Sequence, residues 1–161
     1  MHRGLAVAAL ALVLAACGGG PSTFTCPRVA AVSGLDRLDY TFQGAPGPVR
    51  VRLDVADATC VMDGPDSFVV RSVVAIQLDP NRPRGEFRVP YSLAIDTPAG
   101  TTMEWAEYAV IPAGSNGIVQ RFEHRVDGVG PTEGGQVRLL YALTPDDAAL
   151  EQIARDRPRR R

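Results

Sequence analysis

The sequence has no lysine at all; its seventeen basic residues are all arginine. That bias reports a GC-rich coding sequence and is no sign of selection for phosphate binding, so no nucleic-acid partner is expected. Histidine is almost missing too. It occurs only as His2 and His124, which leaves a His/Cys zinc site short of ligands and gives a serine or cysteine nucleophile a single base to work with. No GxSxG elbow, no CxxC and no internal repeat is present. GVGPTEGG, residues 128 to 135, lacks both the GxGxxG spacing and a following helix, so it reads as a loop rather than a phosphate cradle. The one long apolar stretch, residues 4 to 16, falls short of the roughly 20 residues needed to span a bilayer.

What is present begins with that stretch. Arg3 supplies a short positive n-region, and an apolar segment ending in small residues follows, the pattern of a secretory signal over residues 1–16. Leu14-Ala15-Ala16-Cys17 resembles the lipobox of bacterial lipoproteins. The resemblance implies that Cys17 is acylated and becomes the first residue of the mature chain, anchored durably by three acyl chains. Gly18 stands where an Asp would imply inner-membrane retention, which favours the outer membrane, facing the periplasm. An ordinary signal cut after Ala16, leaving Cys17 a free thiol, is the alternative. With Cys17 acylated, Cys26 and Cys60 become an even pair in an oxidising compartment, where a disulfide is expected.

Residues 17–25 read as a flexible tether, since glycine, serine and proline bury little surface. Residues 26–143 read as one β-domain and 144–161 as a terminal helix with a basic tail. Gly and Pro interrupt the domain every 8 to 15 residues, with alternating segments between them. In VRVRLDVA, Val49, Val51, Leu53 and Val55 point one way and Arg50, Arg52 and Asp54 the other. In FVVRSVVAIQL, Phe68, Val70, Ser72, Val74, Ile76 and Leu78 share a face, and apolar residues on the reverse suggest a central strand. EFRVPYSLAI alternates as well, and Pro90 predicts an edge or bulge because it cannot donate to a ladder. Further strands are predicted near 28–32, 37–42, 102–111, 118–126 and 136–143. The fold class is therefore all-β: an antiparallel β-sandwich of seven to nine strands, immunoglobulin-like or fibronectin-like, with a short C-terminal helix. The immunoglobulin pattern itself fits poorly, because Trp105 lies well beyond Cys60 instead of between the two cysteines. Thr144-Pro145-Asp146-Asp147 reads as the helix start.

These features resemble a group of small lipoproteins of GC-rich proteobacteria. The shared elements are a lipobox followed by glycines, Cys26-Pro27 opening the domain, Cys60 after an Asp-containing strand, Val89-Pro90-Tyr91, and Leu143 to Asp146 leading into a helix. The resemblance implies a β-sandwich-like envelope domain and carries no catalytic residue with it.

Individual residues add little chemistry. His124 shares a face with Ile118, Phe122 and Val126, so it is a general-base candidate with Glu107 or Glu123, and otherwise an ordinary strand-end histidine. Glu104 and Glu107, at an odd offset, are expected on opposite faces of their strand, which argues against a glycosidase-like pair. Asp54, Asp57, Asp63 and Asp66 bracket Cys60 but match no calcium loop. Trp105, Tyr108, Tyr91 and Phe122 read first as core, and as a ligand surface only if exposed. Charge is uneven: residues 17 to 154 carry a net −6 and residues 155 to 161 a net +4. The tail Arg155, Arg157, Arg159, Arg160 and Arg161 fits an anionic partner. The expectation is a non-catalytic envelope protein, bound to the membrane through acylated Cys17, without cofactor or metal, that serves envelope assembly or a protein partner. A small-ligand or carbohydrate-binding lipoprotein is the alternative.

Overall fold

In a computed structural model, which describes residues 24–43, 45–79, 85–147, 150, 151 and 153, the alternating segments form eight strands. They are β1 (Arg28–Ala31), β2 (Arg37–Tyr40), β3 (Val49–Met62), β4 (Ser67–Leu78), β5 (Phe87–Thr97), β6 (Gly100–Ile111), β7 (Gly117–Asp127) and β8 (Arg138–Leu143). Two four-stranded sheets result, ordered β1-β8-β5-β6 and β2-β3-β4-β7. Their inward faces build one core, with Val51, Leu53, Phe68, Val74 and Ile76 from one sheet and Val89, Tyr91, Leu93, Leu139 and Tyr141 from the other. This is the arrangement of a β-sandwich. Residues 1–23, with the expected signal segment and Cys17, and the arginine tail lie outside the described residues.

β4 is an interior strand, as its apolar reverse face predicts. β3 runs further than the alternation suggests, through Cys60 to Met62. Its register against β4 shifts between Val55 and Asp57, leaving Ala56 as an extra residue. Side chains alternate with a period of two, so one inserted residue exchanges the faces beyond it. Val49, Val51 and Leu53 are buried before the bulge, and Cys60 and Met62 pack against the same core after it. Without the insertion, Asp57, Thr59 and Val61 would face inward and Cys60 outward. The bulge therefore brings Cys60 to disulfide distance of Cys26, with the Cα atoms 5.9 Å apart.

Two expectations are corrected. The pairing is not antiparallel throughout, because β1 and β8 run parallel, Arg28 opposite Arg138 and Ala31 opposite Tyr141. The chain changes sheets four times, at β1–β2, β4–β5, β6–β7 and β7–β8, and these crossings return β8 beside β1 in the same direction. The chain thus enters the domain at one end of the sandwich and leaves it at the other. Pro90 occupies an interior strand rather than an edge. Pairing of β5 with β8 begins at the next residue, Tyr91 opposite Leu143, and beyond that end the Pro90 carbonyl accepts the Thr144 N–H at 2.9 Å. The proline nitrogen faces the same side, past the last residue of β8, where no ladder donor is required.

The incoming segment crosses the end of the sandwich. Phe24 meets Phe68 with ring centroids 6.1 Å apart, and the Thr25 N–H donates to the Pro131 carbonyl. Gly134, in a 3-10 turn spanning Gly134–Gln136, lies so close that a Cβ there would collide with the Thr25 carbonyl oxygen. At the other end the Tyr40 hydroxyl donates to the Thr144 carbonyl at 2.9 Å. The Leu150 N–H donates to the Asp146 carbonyl, one helical turn after Thr144-Pro145, and Ile153 packs against the core. No helix among the described residues is long and apolar enough to cross a membrane.

Replacing both cysteines by serine is expected to cost about 3–4 kcal/mol by urea unfolding, the chain-entropy value for a loop of this size. Deleting Ala56 should lower stability further and leave Cys26 and Cys60 reactive to a thiol reagent in the folded protein. Unreactive thiols in that deletion would contradict the role assigned to the bulge.

Candidate functional site

β6 and β7 are edge strands of different sheets, and they lie against each other along one side of the sandwich. Ala109 and Ile111 of β6 and Val126 of β7 close the core at one end, but the middle of the two strands does not present aliphatic side chains inward as the other strands do. Half-buried Trp105 comes from β6, and half-buried Gln120, Phe122 and His124 come from β7. Behind them stand buried Tyr91 from β5, Tyr141 from β8 and Ser72 from β4. The Trp105 and Phe122 ring centroids are 5.3 Å apart, and Trp105 meets Tyr91 edge-on at 5.1 Å. Phe122 and His124 are stacked at 5.9 Å. These are ordinary aromatic-pair separations, so one ring cluster bridges the two sheets where backbone pairing does not.

Polar atoms in the cluster are matched. The Tyr141 hydroxyl lies 2.7 Å from Ser72 Oγ and 2.9 Å from His124 Nε2, forming a chain from a buried serine to the imidazole at the seam. The Tyr91 hydroxyl donates to Gln120 Oε1 at 2.7 Å. Burial pushes the Tyr91 hydroxyl up to about 12, with the nearby Glu107 carboxylate adding to the shift and the Gln120 hydrogen bond opposing it. Burial also raises Tyr141. His124 is held below its ordinary value by burial, against the opposing pull of the Glu104 carboxylate. The imidazole therefore favours its neutral form.

The two glutamates correct an expectation. Alternation alone puts Glu104 and Glu107 on opposite faces, but the β5–β6 register shifts between Leu93, opposite Trp105, and Ala94, opposite Met103. Glu104 is the extra residue of this bulge. Glu107 is opposite buried Tyr91, on the inward side. Both carboxylates thus act on the seam, Glu107 on Tyr91 and Glu104 on His124.

Other candidates are dispersed. Glu123 projects outward and pairs with Arg71 at 2.8 Å, away from His124. Asp54 pairs with Arg52, and Asp63 with Arg125. The Asp66 carbonyl accepts the Val129 N–H, and no group of three or more His, Cys, Asp or Glu positioned for a metal forms among the described residues. Tyr108 is 59% exposed on the outside of β6, beneath the Arg88 guanidinium at 5.3 Å, so it does not join the other three aromatics. The segment 128–135 forms the loop into the 3-10 turn. The sequence does not mark Tyr141 as the partner of His124, Ser72 as the group behind Tyr141, or Gln120 as the partner of Tyr91. The one available signal was a lone hydroxyl residue, Ser72, on an otherwise apolar face.

Because the folded state holds His124 below the unfolded value near 6.5, the unfolded chain binds the proton first as pH falls. Stability from this group is complete above pH ~6.5 and declines as pH drops through the folded value. Urea unfolding between neutral and mildly acidic pH should show this loss, and His124→Gln should flatten it. Trp105 emission, with the imidazole centroid 6.2 Å away, should titrate in the same window.

No protein-family model matches this chain, and no curated protein or solved structure matches it either, so its functional reading rests on the geometry of its own residues.

Proposed function

We propose that this chain is a lipid-anchored envelope protein, held at the outer membrane through acylated Cys17 and facing the periplasm, whose non-catalytic β-domain binds a protein partner by strand addition to β7. The observation that carries this reading is the asymmetry of the two long edges. β7 makes eleven uninterrupted pairs with β4 from Ser67–Asp127 to Gln77–Gly117, and its other side pairs with no strand among the described residues. It contains no proline and no bulge, and the sequence has no lysine to guard it. β6, by contrast, carries a bulge at Glu104 and an inward carboxylate at Glu107, two devices that discourage edge pairing. β1 and β2, with four residues each, are too short to serve as templates. An extended peptide along β7 would gain main-chain hydrogen bonds, with alternate side chains meeting Val119, 60% exposed on the outer face, and the ring cluster on the inner one.

The resemblance to small proteobacterial lipoproteins supports the envelope setting. We read the layers as immunoglobulin-like or fibronectin-like in architecture only, because the order β1-β8-β5-β6 over β2-β3-β4-β7 departs from the ABED and CFG sheets of that fold. The turn at Thr144 to Asp147 is read as the start of a short helix leading to Arg155, Arg157, Arg159, Arg160 and Arg161, which meet an anionic envelope component.

Cys17→Ser should move the protein from the membrane to the soluble periplasmic fraction; retention in the membrane would overturn the anchor. A photo-crosslinking residue at Val119 should give a defined adduct in intact envelopes where one at Arg37, on the β2 edge, gives none. Equal labelling from both positions would remove β7 as the contact. Deleting Arg157 to Arg161 from a non-acylated form should weaken salt-sensitive retention on envelopes, and unchanged retention after a low-salt wash would dismiss the tail.

A further inference from the structure

We propose that the seam between β6 and β7 is a binding site for an organic cation, an ammonium or guanidinium group held between the rings of Trp105 and Phe122 and the carboxylates of Glu104 and Glu107. The site adjoins the β7 backbone edge but is defined by side chains, so its binding is read separately from strand addition. An aromatic face is negative at its centre and attracts a cation, tryptophan most strongly. Trp105 and Phe122 keep part of their surface open at the seam while Tyr91 and Tyr141 fill the space behind them. The carboxylates complete the field. Outer-face acids such as Asp39, Asp96 and Glu123 pair with arginines, whereas neither Glu104 nor Glu107 takes part in an ion pair among the described residues, and both are exposed.

No fixed cation competes from the walls. Arg121 and Arg125 of β7 alternate with Phe122 and His124 and face outward, Arg125 pairing with Asp127 and Asp63. Arg88 of β5 is spent on Tyr108 outside. The remaining groups at the seam, Gln120 and the His124 ring, are uncharged or favour the neutral form and can accept hydrogen bonds. Two carboxylates and the open parts of the Trp105 and Phe122 rings, with no counter-charge, repel an anion and select a cation. The charge-bearing group can come from a free polyamine or from a basic side chain of a peptide.

Trp105 is the only tryptophan, so its emission reports the site directly. The full chain is titrated at low salt with spermidine, with arginine methyl ester as a single guanidinium probe, and with maltotriose as a neutral ligand. Saturable emission changes are expected with spermidine or arginine methyl ester and not with maltotriose, and the tighter of the two identifies the source. Glu104→Gln/Glu107→Gln should weaken binding by about tenfold or more, as loss of close opposite charges predicts, while Glu123→Gln leaves it unchanged. The thermal unfolding midpoint of each variant separates loss of a site from loss of the fold. Absence of saturation, an equal response to maltotriose, or undiminished binding in a folded double variant would each overturn the proposal. Crosslinking from Val119 reads the β7 edge independently of these glutamates.

Discussion

A strand can give only alternate residues to one face, and this sandwich depends on two places where a single extra residue resets that alternation. At Ala56 the reset lets one long strand, β3, serve the core at both of its ends. Val51 and Leu53 face inward before it, and Cys60 faces inward after it. The cysteine can then fasten the incoming chain over the end of the core, where Phe24 covers Phe68 and Thr25 passes Gly134. At Glu104 the same device breaks the β5–β6 ladder beside Trp105. The first bulge completes the hydrophobic interior, and the second gives the open side of the sandwich its polar character.

Most of the architecture was legible in the sequence because it follows from local pattern. The inward residues of β4 are the six that its alternation marks, Phe68 through Leu78, all buried. What local pattern could not supply is register. VADAT carries no sign that Ala56 is skipped, because a bulge exists only relative to a partner strand, and the same holds for Glu104 between Met103 and Trp105. The misplacement of the two glutamates follows directly from that. The place of Pro90 escapes local pattern for a related reason: whether its missing N–H matters depends on where β8 stops, and β8 stops at Leu143. The parallel β1–β8 pair depends on the path of all intervening crossings. The aromatic residues of the seam were named, but Tyr141 and Ser72, which hold His124 in place, come from strands far away in the chain.

The outer faces follow a simpler logic. Arginine and acid meet across neighbouring strands at Arg50–Asp39, Arg71–Glu123 and Arg138–Asp96, each pair also a register pair of its ladder. Arg50 reaches both oxygens of Asp39, at 2.8 and 3.0 Å, a fork geometry that a lysine cannot offer. Exposed pairs of this kind add at most about 1 kcal/mol each. In the β4–β7 ladder the pair is also directional, since a two-residue slip would set Arg121 or Arg125 opposite Arg71.

The parallel pairing of β1 with β8 also decides how the domain answers to force. A pull on the incoming segment and a pull beyond Thr144 act in opposite directions at opposite ends of the sandwich, separated by about 20 Å along the six residues of β8. Adjacent parallel strands drawn this way are sheared, so their hydrogen bonds share the strain and do not open one at a time. The Cys26–Cys60 link stands ahead of β1 and diverts part of the tension into β3, engaging the second sheet. A load applied between those two segments is thereby strapped across both layers at the point where it enters.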